Sequence, residues 1–221
     1  VFMEKLKKEY AVLAIAVLVL MDLWAVDKRY LNNDDFISKS QTEKPYSPTV
    51  ADQQIMQDDD PYFRVYNLME PLDRGARTSY FHKNLGGYHG AKLKRYQELI
   101  DYHLSKGNME VINMLNAKYF ITKGQNGQPQ ARRNPGVLGN AWFVEDYEIV
   151  ANADSEIVAL NDFDASETAV IDQRFEAHLQ GFQAQYDSTA SIELTEYKPN
   201  YLTFKSNASS EQLAVFSDIY Y

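Results

Sequence analysis

An unbroken apolar run near the N-terminus most constrains what this chain can fold into. Residues 11–21 read AVLAIAVLVLM, and after Asp22 the apolar character continues to Val26, which gives sixteen residues with one acid. That length is slightly short of the roughly 17–25 residues that cross a bilayer core. Tyr10 and Trp24 flank the run, as aromatic side chains do at membrane interfaces.

Three interpretations of residues 1–26 compete: a transmembrane or membrane-proximal helix, a secretory signal peptide, and a buried strand or core helix of a soluble domain. The signal peptide would have a poor cleavage site, because Trp24 stands between Leu23 and Ala25. We expect the transmembrane helix. Lysines precede the run at positions 5, 7 and 8, so the positive-inside rule predicts a cytoplasmic N-terminus and extracytoplasmic residues after about position 26.

Composition excludes several classes of function. The chain has 221 residues and a net charge of −9, from 22 basic and 31 acidic residues. Because duplex phosphates demand a basic face, an acidic chain predicts no nucleic-acid partner. The absence of cysteine excludes disulfide scaffolds, thiolate metal sites and cysteine nucleophiles. The chain begins with Val1, from which we expect a fragment of a longer protein.

The patterning after residue 26 predicts an α+β fold with three further parts. Residues 27–61 are polar and rich in turn residues, which predicts an extended linker with a short helix near residues 50–57. Residues 62–189 mix helical and strand patterns and are expected to form an extracytoplasmic α+β domain. Residues 190–221 alternate as strands and predict the start of a mostly antiparallel β subdomain that looks truncated, because the last apolar segment would lack neighbours.

Local patterns place the elements within these parts. In residues 91–105 the apolar side chains share one helical face, Gly107 supplies a stop, and Asn108 can cap a second helix over 109–116. Asp154 can cap another short helix through residues 156–160, and residues 173–179 predict one more. Strands are predicted over residues 64–68, 118–122, 141–144, 147–150, 168–171, 191–197, 201–205, 213–216 and 219–221.

The segment Gly86-Gly87-Tyr88-His89-Gly90 is the strongest motif for a binding site. Backbone amides at a helix start, together with Lys92, Lys94 and Arg95, can hold an anion such as phosphate. The glycine spacing matches neither a P-loop nor a dinucleotide fingerprint. The alternative is a glycine-rich turn that positions a helix whose basic residues face water.

Other residues with chemical potential have simpler explanations. His82, His89 and His103 match no metal-ligand spacing, so hydrogen-bonded or core histidines are expected and no metal site is predicted. The run Asp58-Asp59-Asp60 before Pro61 is expected to be a solvated turn rather than a cation site. The 16 tyrosines can form sugar platforms but more often pack in a β-rich core.

An ordered set of short motifs resembles the late part of YfhO-type bacterial membrane proteins. Such a resemblance is carried by Asp22-Leu23-Trp24, 27–32 (DKRYLN), 79–83 (SYFHK), 86–93 (GGYHGAKL), 95–97 (RYQ), 113–116 (NMLN), Lys118-Tyr119, Asn134-Pro135, 138–144 (LGNAWFV), 197–200 (YKPN) and 216–221 (FSDIYY). These motifs span nearly the whole chain. The resemblance implies a large polytopic protein of the bacterial cytoplasmic membrane with an extracytoplasmic domain late in its chain.

YfhO-type proteins are similar to GT-C-type glycosyltransferases, which use polyprenyl-phosphate sugars and modify cell-envelope polymers. The catalytic acid of those enzymes is expected in an early extracytoplasmic loop outside this chain, so no catalytic residue, metal or cofactor is assigned here. We expect a cluster for contact with a lipid phosphate, an acceptor or the membrane part, formed by Tyr80, His82, Lys83, Tyr88, His89, Lys92 and Arg95. The alternative is a non-catalytic, membrane-anchored module that binds glycan or a partner protein.

Overall fold

The computed structural model describes residues 7–219. The chain divides into two compact units, one that ends at Ser47 and one that begins at Pro48. Helices and strands mix in the first half, and strand pairs in the second half are mostly antiparallel. The predicted α+β class is therefore confirmed.

Helix α1 spans Lys8–Tyr30 and has no buried residue. Its 23 residues correspond to about 35 Å at 1.5 Å per residue, enough for a hydrocarbon core of roughly 30 Å. It is longer than the apolar run because Lys28 and Arg29 continue the helix in its last turn, where cations favour the helix dipole. Within residues 7–219 it is the one helix long and apolar enough to cross a membrane, and its exposure argues against a buried core segment.

The segment after α1 contains short capped turns rather than a uniformly extended chain. A 3₁₀ turn at Asn33–Asp35 and helix α2 at Lys39–Glu43 each begin with a capping box. The predicted linker continues to residue 61, but the second unit already begins at Pro48. Helix α3, Val50–Ile55, starts this unit, because Ala51 and Ile55 lie one turn apart and are both buried.

A three-stranded sheet organises the first half of the second unit. Its strands are β1 (Arg64–Asn67), β2 (Ala117–Lys123) and β3 (Pro129–Arg133), in that spatial order. β1 runs parallel to β2, whereas β3 is antiparallel to it. Sequence patterns predicted β1 and β2 but missed β3, whose polar residues PQARR occupy a sheet edge with only Ala131 buried.

The parallel pair β1–β2 requires a crossover, and helices supply it. These are α4 (Arg77–Phe81), α5 (Lys94–Tyr102), a 3₁₀ turn (Leu104–Lys106) and α6 (Met109–Met114). Gly107 adopts φ 71°, which favours glycine, and Asn108 caps α6 by accepting from the Val111 N–H, as predicted. The buried side chains of Leu104, Val111 and Ile112 join the main core.

The second half contains three two-stranded ladders. Its elements are β4 (Ala141–Val144), β5 (Asp146–Val150), α7 (Ala153–Ala159), β6 (Thr168–Asp172), a 3₁₀ helix (Gln173–Leu179), β7 (Ser191–Lys198), β8 (Tyr201–Asn207) and β9 (Leu213–Phe216). β5 and β6 are parallel, while β4–β9 and β7–β8 are antiparallel. The N-cap of α7 is Asn152, not the expected Asp154, because the Asn152 side chain accepts from the Ser155 N–H.

The first part of the last apolar segment, β9, does have a neighbour, since it pairs with β4. Long-range pairing of this kind also joins the expected subdomain at 190–221 to the unit that begins at Pro48. Of the predicted strand at 219–221, residues 220 and 221 lie outside the described residues.

Candidate functional site

A cleft of about 290 Å³ brings together two of the sequence-predicted site residues, His89 and Lys92. We call it the basic cleft, lined by Arg64, Asn84, His89, Ala91, Lys92, Leu93, Tyr96 and Ile219. β1 supplies Arg64, the turn before α5 supplies His89 and Lys92, and the chain after β9 supplies Ile219. Cationic and polar groups thus meet an apolar wall.

Arg64 is the fixed cation of the basic cleft. Its Nη1 donates to the carbonyls of Leu115 at 2.8 Å and Ser217 at 3.0 Å. Nη2 donates to Tyr62 Oη at 3.0 Å and lies 3.4 Å from Asp218 Oδ1. These contacts leave Nε without an acceptor among residues 7–219. The guanidinium is therefore held rigidly with one donor group unused.

His89 and Lys92 complete the polar part of the cleft. His89 is exposed, and its Nδ1 accepts the Ala91 N–H at 3.1 Å, so a neutral ring carries its proton on Nε2. Lys92 has no ion pair with another described residue. Tyr96 donates to the Leu85 carbonyl, and burial raises the pKa of Tyr96 to about 12, so this phenol stays neutral. The cleft presents donors and positive charge.

The Gly86 and Gly87 amides do not contribute to the anion site that the motif predicts. The Gly86 N–H donates to Asn84 Oδ1 at 3.2 Å, and the Gly87 N–H donates to the Leu72 carbonyl at 2.7 Å. A Cβ on Gly86 would lie 2.1 Å from the Leu72 carbonyl oxygen, so glycine is required there by close backbone approach. Helix α5 begins only at Lys94. The cations of the cleft come from side chains, not from a helix start.

Lys83 does not line the basic cleft, but it contacts a pair of stacked tyrosines that supports one end of the cleft. Its Nζ is 4.4 Å from the Tyr197 ring centroid and 5.0 Å from that of Tyr62. The two tyrosine rings stack with centroids 4.6 Å apart. Because Tyr62 also contacts Arg64 and donates to Asp218, this stack supports one end of the cleft.

The other predicted site residues lie elsewhere. Tyr88 is exposed, as is Tyr80, which packs edge-on against Phe81 with ring centroids 4.9 Å apart. Arg95 is exposed on α5 and does not line the cleft. The structure therefore does not assemble the seven residues into one cluster.

His82 does not line the basic cleft; it contacts a buried carboxylate instead. Its Nε2 lies 3.1 Å from Asp52 Oδ1, and Asp52 also accepts from Arg77 Nη2 at 2.6 Å. Burial lowers the pKa of His82 against the opposing effect of Asp52, so the ring is favoured in its neutral form. Burial also opposes ionisation of Asp52, but hydrogen bonds from Arg77, Thr49 and His82 keep its pKa below the usual value. This triad is structural, because the Asp52 side chain is fully buried.

The aspartate run is bound by protein donors. Lys118 Nζ lies 2.8 Å from Asp58 and 2.9 Å from Asp60, and Tyr119 Oη donates to Asp58 at 2.7 Å. Among residues 7–219 no three His, Asp or Glu side chains converge as metal ligands. His103 is buried in the core, where its Nε2 lies 2.7 Å from the Ile157 carbonyl oxygen.

Sequence reasoning missed Arg64, Asn84 and Tyr96 as cleft residues. Arg64 begins a predicted strand, and Tyr96 falls on the apolar face of a predicted helix, so each had an adequate local explanation. Only the approach of residues 217–219 to β1 reveals the cleft.

The comparisons with known proteins give no relative: no family model, no curated protein and no solved structure matches this chain.

Proposed function

We propose that this chain is the extracytoplasmic portion of a YfhO-like bacterial membrane protein, and that its basic cleft binds the phosphate of a lipid-linked sugar. The convergence of Arg64, His89 and Lys92 on one cleft carries the proposal. A candidate membrane helix at Lys8–Tyr30 supports anchoring to the lipid phase that supplies such a ligand.

The donor set suits a phosphate more than a carboxylate or a neutral ligand. Lys92 supplies an ammonium that forms no ion pair with a described residue, Arg64 a fixed guanidinium, and His89 an Nε2–H donor. Three separate donors match an oxyanion with several acceptor oxygens, and charged hydrogen bonds of this type each contribute about 1.5–3 kcal/mol. Leu93 and Ile219 provide apolar surface beside the donors, as a prenyl chain requires.

In this proposal the chain binds and orients a ligand rather than reacting with it. Among residues 7–219 no carboxylate lines the cleft, since Asp218 contacts Arg64 and Tyr62 outside the lining. The catalytic acid of the proposed transfer belongs to another part of the membrane protein. Transfer of sugar to a cell-envelope polymer is then assisted by holding the lipid phosphate.

Binding of farnesyl phosphate to the detergent-solubilised full chain tests the proposal, with farnesol as the uncharged comparison. We expect ³¹P resonance broadening with farnesyl phosphate, and an affinity at least about tenfold lower in Lys92→Met, since about 1.4 kcal/mol is tenfold. Lys123→Met is the matched control, because Lys123 is exposed at the end of β2. Equal binding by the parent and Lys92→Met, or loss of the ³¹P broadening when an equal concentration of farnesol competes with farnesyl phosphate, would overturn the phosphate site.

A cellular test addresses the role in transfer. The double variant His89→Ala and Lys92→Ala should reduce cell-envelope glycosylation while membrane insertion stays intact. Unchanged glycosylation in cells that hold normal amounts of the variant would refute the role of this cleft and leave a packing role for the segment.

A further inference from the structure

Asp22 is the one acidic residue inside the apolar run of α1, and its depth in that run is informative. Four residues, or about 6 Å of helix, separate Asp22 from Val26, where the run ends. The side chain of aspartate is too short to reach the interface from that depth, whereas the longer Lys and Arg side chains can do so. In the membrane-spanning helix proposed above, the Asp22 carboxylate therefore lies within the hydrocarbon layer.

A shift of the helix along its axis does not place fewer charges in that layer. About 17–25 residues are needed to cross it, so moving Asp22 to the interface would draw Lys8 and Glu9 into the layer at the other end. One carboxylate would then be exchanged for two charged groups. The position that contains the run up to Val26 is therefore the favoured one, and it keeps Asp22 inside.

The helix itself offers Asp22 no cation. The residues one turn away on either side are all apolar: Leu18, Val19, Ala25 and Val26. Lys28 and Arg29 follow about 9 and 10.5 Å further along the axis, and the Lys28 ammonium lies 5.7 Å from the Trp24 ring centroid. Among residues 7–219, no side chain forms an ion pair or hydrogen bond with Asp22.

The side of α1 that bears Asp22 differs from the opposite side. At about 100° per residue, Leu20 and Trp24 each lie about 160° away from Asp22 around the helix. Ala25 lies on the side of Asp22, one turn further on, and its small side chain permits close approach of another helix. Because intramembrane acids almost always face a helix bundle or a water-filled cavity, the Asp22 side is the side expected to contact protein.

We propose that Asp22 forms an ion pair within the membrane with a Lys or Arg side chain of a second transmembrane helix. Charge complementarity selects this partner, because an apolar helix would leave the carboxylate without compensation. A second copy of α1 in the same orientation would bring two carboxylates together. The inference rests on the membrane anchoring of α1, which is part of the proposed function, but it does not depend on the phosphate site.

The test measures association of the full chain with synthetic transmembrane peptides in vesicles of dioleoylphosphatidylcholine. The probe peptide has a core of leucine and alanine between pairs of lysines, with one further lysine four residues inside one end; the reference peptide has leucine at that position. Because the chain has no cysteine, Leu31→Cys directly after α1 carries the donor fluorophore, and the peptide carries the acceptor. We expect energy transfer to show at least about tenfold tighter association with the lysine peptide.

Variants at position 22 identify the carboxylate as the cause of this preference. Asp22→Leu should lose the preference, and Asp22→Lys should instead prefer a peptide that carries glutamate at the inner position. Asp27→Leu is the matched control, because it removes a carboxylate that lies beyond the apolar run of the same helix. Equal association of both peptides with the parent, or an unchanged preference in Asp22→Leu, would overturn the proposal. Energy transfer between copies of the parent that Asp22→Leu abolishes would also overturn it and assign this side to a second copy.

Failure of this inference differs from failure of the proposed function. Release of the parent chain from the vesicles by carbonate would refute the anchoring and, with it, this inference. Stable insertion without a peptide preference would refute the ion pair alone. Asp22→Leu should leave the binding of farnesyl phosphate unchanged, because Asp22 belongs to the first compact unit and the basic cleft to the second.

Discussion

Substitution of Asp52 by asparagine is expected to destabilise the second unit strongly. The carboxylate accepts from Arg77 at 2.6 Å, from the Thr49 N–H and hydroxyl at 2.7 Å each, and lies 3.1 Å from His82 Nε2. Its side chain is fully buried, and that of His82 is 5% exposed. Asparagine keeps the volume but removes the charge and turns an N–H₂ group toward one of these donors.

The magnitude follows from the loss of one partner in a buried charged network. Removing one member of such a pair generally costs about 3–5 kcal/mol. The Arg77 side chain is 25% exposed and regains some hydration, so we expect the lower end, about 3 kcal/mol. With a urea m-value of about 2 kcal/mol/M, the unfolding midpoint falls by about 1.5 M.

The assay is urea unfolding of the full chain in detergent, followed by tryptophan fluorescence at pH 7. Asp73→Asn is the matched control, because Asp73 is an exposed carboxylate that pairs with the neighbouring Arg74. We expect no measurable shift for the control. A midpoint for Asp52→Asn within about 0.25 M of the parent would refute the reasoning, since that corresponds to an ordinary surface substitution.

Three further outcomes are expected. Burial lowers the pKa of His82 in the folded chain, so stability falls as the pH drops below the pKa of about 6.5 in the unfolded chain. His82→Gln should make the urea unfolding midpoint less dependent on pH between pH 7 and 5. Burial opposes ionisation of Asp58, but hydrogen bonding by Lys118 lowers the pKa of Asp58 to about 2. This interaction stabilises the fold above about pH 4, and its contribution is lost as the pH falls toward 2. Lys118→Met should raise that pKa in carboxyl NMR titrations. Leu18→Arg in α1 should disfavour membrane insertion by about 2.5–3.5 kcal/mol, as measured by the carbonate-resistant fraction, and an unchanged fraction would contradict a spanning helix.

Elements that depend on neighbouring residues could be predicted from the sequence. Gly107 and Asn108 mark the boundary between two helices by backbone freedom and side-chain capping, and both act within one turn. β7 and β8 can be predicted because their apolar residues alternate along each strand and a turn separates the two. These signals depend only on neighbouring residues, and the structure confirms the helix boundary and both strands.

Contacts between distant residues could not be predicted in the same way. Asp52 falls in the short helix predicted near residues 50–57, and nothing local shows that its carboxylate is buried. It is stable in the interior because Arg77 and His82, 25 and 30 positions later in the chain, both contact it. β3 carries a polar sequence because it lies at a sheet edge, and edge position is a property of topology rather than of composition. Only two of the seven expected site residues, His89 and Lys92, line the basic cleft, because the cleft forms where distant segments of the chain meet.

The basic cleft depends on the C-terminal segment as much as on the motif that first indicated it. Arg64 donates to the Ser217 carbonyl, Tyr62 donates to Asp218, and Ile219 forms part of the wall. β9 in turn is held by β4. Because residues 217–219 follow β9 directly, the β4–β9 ladder fixes the segment that positions Arg64 and completes the wall of the basic cleft.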